Sequence, residues 1–161
     1  MALEKSVFVD TTIKSEVEKN YGSKVDNISK IDRGNANLFL LTVNEKKYVL
    51  KEFQSYYSEA IVKKEAKIIK YLENENISVP TYILTLSGKF CFKYCWKVII
   101  LQKYIKGYIK EICSGTKEQI LESAKFLGMI VKSLEAYPNM ESDNIKRWHS
   151  EINYVKSILI L

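Results

Sequence analysis

With 161 residues, 47% of them apolar and 27% charged, the chain has material for one domain with a proper core, or for one small lobe plus part of another. That composition favours a globular chain over a disordered one, and no apolar run approaches the roughly 18 to 20 residues a membrane span requires. The formal net charge of +6, from 25 Lys plus Arg against 19 Asp plus Glu, is scattered through mixed runs such as Glu45-Lys46-Lys47 and Lys63-Lys64-Glu65, with no block of like charges.

The basic excess suits a phosphorylated ligand, an acidic membrane surface or nucleic acid without selecting one. Only the charge supports nucleic acid, so neither a nucleic-acid nor a membrane partner is expected. Met1-Ala2-Leu3-Glu4-Lys5 lacks an apolar signal region, which makes the cytoplasm the default location. The three cysteines, Cys91, Cys95 and Cys113, have no histidine near them. Cys91 and Cys95 share one extended run and do not reach each other, so reduced, structural thiols are expected and a zinc site is not.

In chain order, Asp10 to Tyr21 reads as a helix with Asp10, Thr11 or Thr12 at its start, Ile13 and Val17 on one face, and Gly22 ending it in a left-handed turn. Ile28 to Ile31, Leu38 to Val43 and Lys47 to Phe53 alternate like strands. Arg33-Gly34-Asn35-Ala36-Asn37 joins the first two, and Asn44-Glu45-Lys46 turns into the third. Ser55 to Asn74 carries Ala60, Ile61, Ile68, Ile69 and Leu72 at helical spacing, with Ser55 or Ser58 as cap.

After Ile77-Ser78-Val79-Pro80, the segments Tyr82 to Thr85, Phe90 to Trp96 and Val98 to Gln102 read as three more short strands, with Ser87-Gly88 as a turn. A linker with Gly107 and Gly115 leads to Thr116-Lys117-Glu118-Gln119, a capping box that opens a helix with Ile120, Ala124, Leu127, Val131 and Leu134 in a stripe. Pro138 breaks that helix. Asp143 to Leu161 reads as another, with Trp148, Ile152, Val155 and Leu159 on one side, and its apolar end looks cut rather than finished.

Phosphate recognition needs fixed positive charge and backbone donors close to the oxygens. Lys51, ending Tyr48-Val49-Leu50-Lys51, extends from a strand as such a charge, and Glu65 on the next helix can hold it by an ion pair. Gly34 lets the first hairpin loop bring its amides toward phosphate. Plainer readings stand beside these. Lys51 and Glu65 also suit an ordinary surface pair, Gly34 a hairpin glycine, and Asn35 and Asn37 any turn. The aromatic run from Phe90 to Trp96 suits a sheet core better than a base-stacking platform, and His149 suits a solvated or capping position.

The sequence Gly34-Asn35-Ala36-Asn37, then Tyr48-Val49-Leu50-Lys51, then Glu65 within Lys64 to Leu72, then Ile77-Ser78-Val79-Pro80, then Val98 to Gly107 resembles the aminoglycoside phosphotransferase and choline kinase family. Spore-coat kinase-like proteins and a homoserine kinase type belong to that family. The resemblance spans roughly residues 25 to 137. It implies ATP as cofactor, with Lys51 on the α- and β-phosphates, Glu65 positioning it, the loop of Gly34, Asn35 and Asn37 above the phosphates, backbone groups of Lys103 and Ile105 on adenine, and Gln102 as gate. It also implies a small-molecule hydroxyl as acceptor.

The chain departs from the family in two places. Val131 stands where many members carry a histidine, and the catalytic H-G-D loop and the metal-binding aspartate have no counterpart. The only histidine is followed by Ser150 and Glu151. No catalytic or metal residue is therefore assigned, Mg2+ is expected only with a further lobe, and these 161 residues are not expected to turn over substrate. The expected fold is α+β, a kinase-like N-terminal lobe over residues 1–107 with an antiparallel five- or six-stranded sheet and a flanking helix. Residues 108–161 would then be the helical start of an incomplete C-terminal lobe, exposed enough to form a homo-oligomer. The runner-up is a non-catalytic, pseudokinase-like nucleotide-binding or interaction module.

Overall fold

The structure is a computed structural model and describes residues 3–32, 34–107 and 114–138. The chain divides into two compact units, Met1–Glu73 with Ser78–Tyr108 and Asn74–Ile77 with Ile109–Leu161. In the first, α1 (Asp10–Tyr21) precedes the strands β1 (Asn27–Ile31), β2 (Asn37–Val43) and β3 (Lys46–Glu52). Next come α2 (Glu59–Asn74), β4 (Tyr82–Ile83), β5 (Phe92–Tyr94) and β6 (Lys97–Lys103). The strands form one six-stranded antiparallel sheet in the order β1-β2-β3-β6-β4, with β5 also paired to β6.

Register sorts the side chains into two layers, because successive residues of a strand point to opposite faces. Phe39 pairs with Leu50, which pairs with Leu101. These residues, with Leu41, Val43 and Ile99, pack on Ile13, Val17 and Tyr21 of α1 and on Phe8. Opposite them, Phe53, Val98 and Ile100 pack on Val62 and Ala66 of α2 and on Tyr82. The sheet is thus sandwiched between two helices, and each fully buried Ile or Leu contributes on the order of 1.5 to 3 kcal/mol. A helix over Asp10 to Tyr21 was legible in the sequence, whereas its place as the cover of the second sheet face was not.

Local chemistry accounts for most element ends. Gly22 takes φ 66° and closes α1 with its amide on the Glu18 carbonyl, but Val9 stands at the start without a side-chain cap, so none of Asp10, Thr11 or Thr12 serves there. α2 begins at Glu59 rather than Ser55, since Ser58 Oγ accepts the Ile61 amide at 3.3 Å and Ser55 instead bonds Glu4. The buried face of α2 is Val62, Ala66 and Leu72, while Ala60 and Ile61 are exposed.

The expected strand from Phe90 to Trp96 is only Phe92–Tyr94. Cys95 and Trp96 form a tight turn in left-handed conformations, φ 43° and 57°. Cys91 is consequently buried in the α2 layer and Cys95 exposed, both as free thiols, and Cys113 lies outside the described residues.

In the second unit, α3 (Lys117–Glu135) opens on the expected capping box. Thr116 accepts from the Gln119 amide and Gln119 accepts from the Thr116 amide. Leu134 is buried, but Ile120, Leu121, Phe126, Leu127 and Met129 are exposed. The expected helix from Asp143 to Leu161, with His149, lies outside the described residues.

Candidate functional site

On the α2 face of the sheet, the first unit holds a cleft of about 330 Å³. Gly34 and Asn35 form its rim, Leu38 and Ile69 its apolar wall, and Lys51, Glu65, Tyr82 and Gln102 its polar floor. The strand register explains why these side chains meet. Leu38 pairs with Lys51 and Gln102 pairs with both Val49 and Tyr82, so all point to the layer that α2 covers. Glu65 lies one position before the buried Ala66 of α2, where the helix turns from core toward cleft.

Lys51 Nζ stands 3.8 Å from Glu65 Oε1, with the lysine side chain about one-fifth exposed and the glutamate about two-fifths. The ammonium also lies 4.2 Å from the centroid of the Phe53 ring, a favourable cation–π distance. The same Glu65 oxygen accepts a hydrogen bond from the Tyr82 hydroxyl. Burial, and then the Glu65 bond and charge, push the Tyr82 phenol far above its usual range, so it stays protonated and donating at any physiological pH. Gly34 has φ 90°, which a residue with a Cβ adopts only under strain, and its nearest neighbour, Leu38 Cδ1 at 3.8 Å, would leave room for that Cβ. Glycine is needed there for backbone conformation rather than space.

Of the sequence-derived site residues, the structure brings Gly34, Asn35, Lys51 and Glu65 together, with Gln102 beside them. Three others stand apart. Asn37 is buried on the opposite face, where its amide donates to the Glu4 carbonyl at 3.0 Å and to Glu52 Oε1 at 3.2 Å. Lys103 ends β6 with its amide already donated to the Thr81 carbonyl at 2.9 Å, so only its carbonyl is left to accept a bond from a base. Ile105 follows β6 and is half exposed, outside the cleft lining.

The sequence reading missed a second polar cluster. Glu52 is fully buried on the α1 face and accepts from Lys97 Nζ at 2.8 Å, from Asn37 and from the Ser6 hydroxyl. Lys97 is itself buried and also donates to the Lys5 carbonyl at 3.1 Å and pairs with Glu4 at 3.2 Å. Burial alone would pull the Lys97 amine down, but Glu52 and Glu4 outweigh it and hold the amine above its usual value. The signal available in the sequence was faint. Glu52 follows the uninterrupted β3 pattern, so alternation puts it on the same face as Leu50.

Among the described residues, no group of three or more His, Cys, Asp or Glu side chains is placed to hold a metal ion. Glu65 is the one carboxylate lining the cleft, and Tyr82 and Lys51 engage it. That donor set does not fit Mg2+, which favours octahedral oxygen ligation through carboxylates. It does fit a phosphate, with one ammonium opposite a glycine loop whose backbone turns at positive φ.

No family model and no curated protein matches the sequence. Solved structures do match the fold. Amicoumacin kinase hAmiN, in complex with AMP-PNP, Ca2+ and Ami, superposes with a TM-score of 0.70 at 14% identity, covering 83% of this chain and 42% of that one. The fold is that of a kinase-like N-terminal lobe. Spectinomycin phosphotransferase APH(9)-Ia, in complex with ADP and spectinomycin, matches this kinase-like lobe with a TM-score of 0.53 at 19% identity, over 62% of this chain and 30% of its own. The chain therefore spans less than half the length of either structure. Among its described residues, no helix is long and apolar enough to cross a membrane.

Proposed function

We propose that this chain is the nucleotide-binding portion of an ATP-dependent phosphotransferase that transfers a γ-phosphate to a small-molecule hydroxyl. The observation that carries the reading is the Lys51–Glu65 pair in a cleft rimmed by the Gly34 loop, on a kinase-like fold. Lys51 contacts the nucleotide phosphates, Glu65 positions Lys51, and the Gly34–Asn35 loop covers them. The Lys103 carbonyl and the Ile105 amide hold adenine past the Gln102 gate. The two matched structures contain ADP or AMP-PNP together with spectinomycin or Ami, which supports nucleotide and small-molecule partners of this kind.

Binding is separable from turnover. The 161 residues contain no H-x-D triplet, so they lack the positioned carboxylate that accepts a hydroxyl proton. We expect adenine nucleotide to bind weakly, with dissociation constants on the order of 0.1 to 1 mM, and no phosphoryl transfer by this chain alone. Calorimetry with ATP and Mg2+ on wild type and Lys51→Met tests the first expectation, and a coupled assay over aminoglycosides, choline and homoserine tests the second. Equal binding by both proteins would remove Lys51 from the site. The missing triplet also supports a second reading, a non-catalytic nucleotide-binding module. Turnover by a longer chain that supplies the missing carboxylates would exclude that second reading.

A further inference from the structure

Asn37 follows the Gly34 loop and opens β2, yet its side chain turns away from the cleft which that loop rims. It is 3% exposed, and its amide nitrogen donates to the Glu4 carbonyl at 3.0 Å and to Glu52 Oε1 at 3.2 Å. Both acceptors are themselves held. The Glu4 amide donates to Gln54 Oε1 at 2.8 Å, and the Glu4 carboxylate accepts from the Ser55 amide at 3.1 Å and the Ser55 hydroxyl at 2.6 Å. Glu52 accepts from Lys97 Nζ at 2.8 Å and from the Ser6 hydroxyl.

This grip lies directly behind the cleft. Asn37 pairs with Glu52 across β2 and β3, and the next register step pairs Leu38 with Lys51. Successive strand residues point to opposite faces, so the anchored pair sits behind the sheet and the cleft pair in front. Ala36, the residue between Asn35 and Asn37, is buried and lines the cleft. The loop thus passes from rim to anchor within two residues.

We infer that Asn37 is a positioning residue for the Gly34 loop, and that N-terminal residues 4–6 are the clamp that holds it. A loop that meets phosphate through its backbone amides depends on where its ends are fixed. Anchoring the exit at Asn37 orders the loop before a ligand arrives, so less ordering is left for binding to supply. Asn37 then acts on the phosphates through the loop and touches no ligand itself.

The inference deepens the nucleotide-site reading and rests on it for the identity of the ligand. Asn37→Ala removes both donors without adding bulk. Calorimetry of adenosine and of ADP separates the phosphate contribution from that of the base. In Asn37→Ala the preference for ADP over adenosine is expected to fall about three- to tenfold, the scale of one hydrogen bond, with adenosine affinity unchanged. Glu4→Ala, which frees the clamp from Ser55 and Lys97, is expected to lower the preference in the same direction, and it stays decisive if Asn37→Ala does not fold. Val17→Ala trims the same core layer without touching the loop, so it should lower the thermal midpoint and keep the wild-type preference. An unchanged preference in Asn37→Ala, or an equal fall in Val17→Ala, overturns the inference. An unchanged preference in Lys51→Met overturns the nucleotide-site reading instead.

A second measurement needs no nucleotide. Backbone order parameters from NMR relaxation are expected to fall at Gly34, Asn35 and Ala36 in Asn37→Ala and in Glu4→Ala, and to stay unchanged at Asn44 and Glu45 in the neighbouring hairpin. Equal values at the Gly34 loop in wild type and both variants overturn the inference whatever the ligand is.

Discussion

At 3.8 Å and partly in water, the Lys51–Glu65 pair adds little to folding, since exposed ion pairs contribute about 0 to 1 kcal/mol. The residues are better explained by what they hold available than by what they hold together. Lys51→Met keeps most of the side chain's apolar stem, so it is expected to change unfolding free energy by less than about 1 kcal/mol while weakening nucleotide binding about tenfold or more. Chemical denaturation and calorimetry on the same preparation check both halves. A large loss of stability would mark Lys51 as structural.

At the scale of elements, the N-terminal segment is fastened across the α1 face by a buried ion cluster rather than by strand pairing. Glu4 accepts from Ser55 and pairs with Lys97, Ser6 bonds Glu52, and the Glu4 amide donates to Gln54 at 2.8 Å. Removing one partner leaves the other charge buried, so Lys97→Met is expected to cost about 3 to 5 kcal/mol in urea unfolding. The amine is held above its usual 10.5, so its contribution is complete below that pH and is lost as the pH rises through the raised value. Wild type should therefore lose stability in strong alkali on a limb that Lys97→Met lacks.

The β5–β6 hairpin holds the opposite opportunity. Cys95 and Trp96 occupy left-handed positions, and Trp96 is 78% exposed, so little packing would be lost on replacing them. Cys95→Asn with Trp96→Gly supplies the residues that such a turn favours, and it is expected to raise stability by about 1 kcal/mol, read as a higher thermal midpoint.

For the whole molecule, α3 presents more apolar surface than one amphipathic stripe. Ile120 and Leu127 lie on the stripe that ends at the buried Leu134, while Leu121, Phe126 and Met129 fall outside it, and these five, unlike Leu134, are exposed. A helix apolar on more than one side is ordinarily covered. Self-association is expected on that ground, with the weight-average mass rising across a concentration series in sedimentation and falling back in Leu127→Glu. A single monomeric mass at all concentrations would show that this surface needs no second copy.

The sequence by itself determined the elements and their order, because alternation, capping residues and glycines act over a few neighbouring positions. Gly22 ends α1, Asn44 and Glu45 turn β2 into β3, and Thr116 with Gln119 opens α3. It also placed Lys51, Glu65 and the Gly34 loop at one site, since a strand, the next helix and a hairpin leave few ways to arrange them. Only the tertiary structure decided which partner each polar group takes. Asn37 turned to Glu52 because the β2 register puts odd positions on the α1 face, and Tyr82 reached Glu65 because β4 docks on the edge of β6 beside α2. Such pairings join residues 15 and 17 positions apart, beyond the reach of any local pattern, and burial rather than sequence spacing selects them.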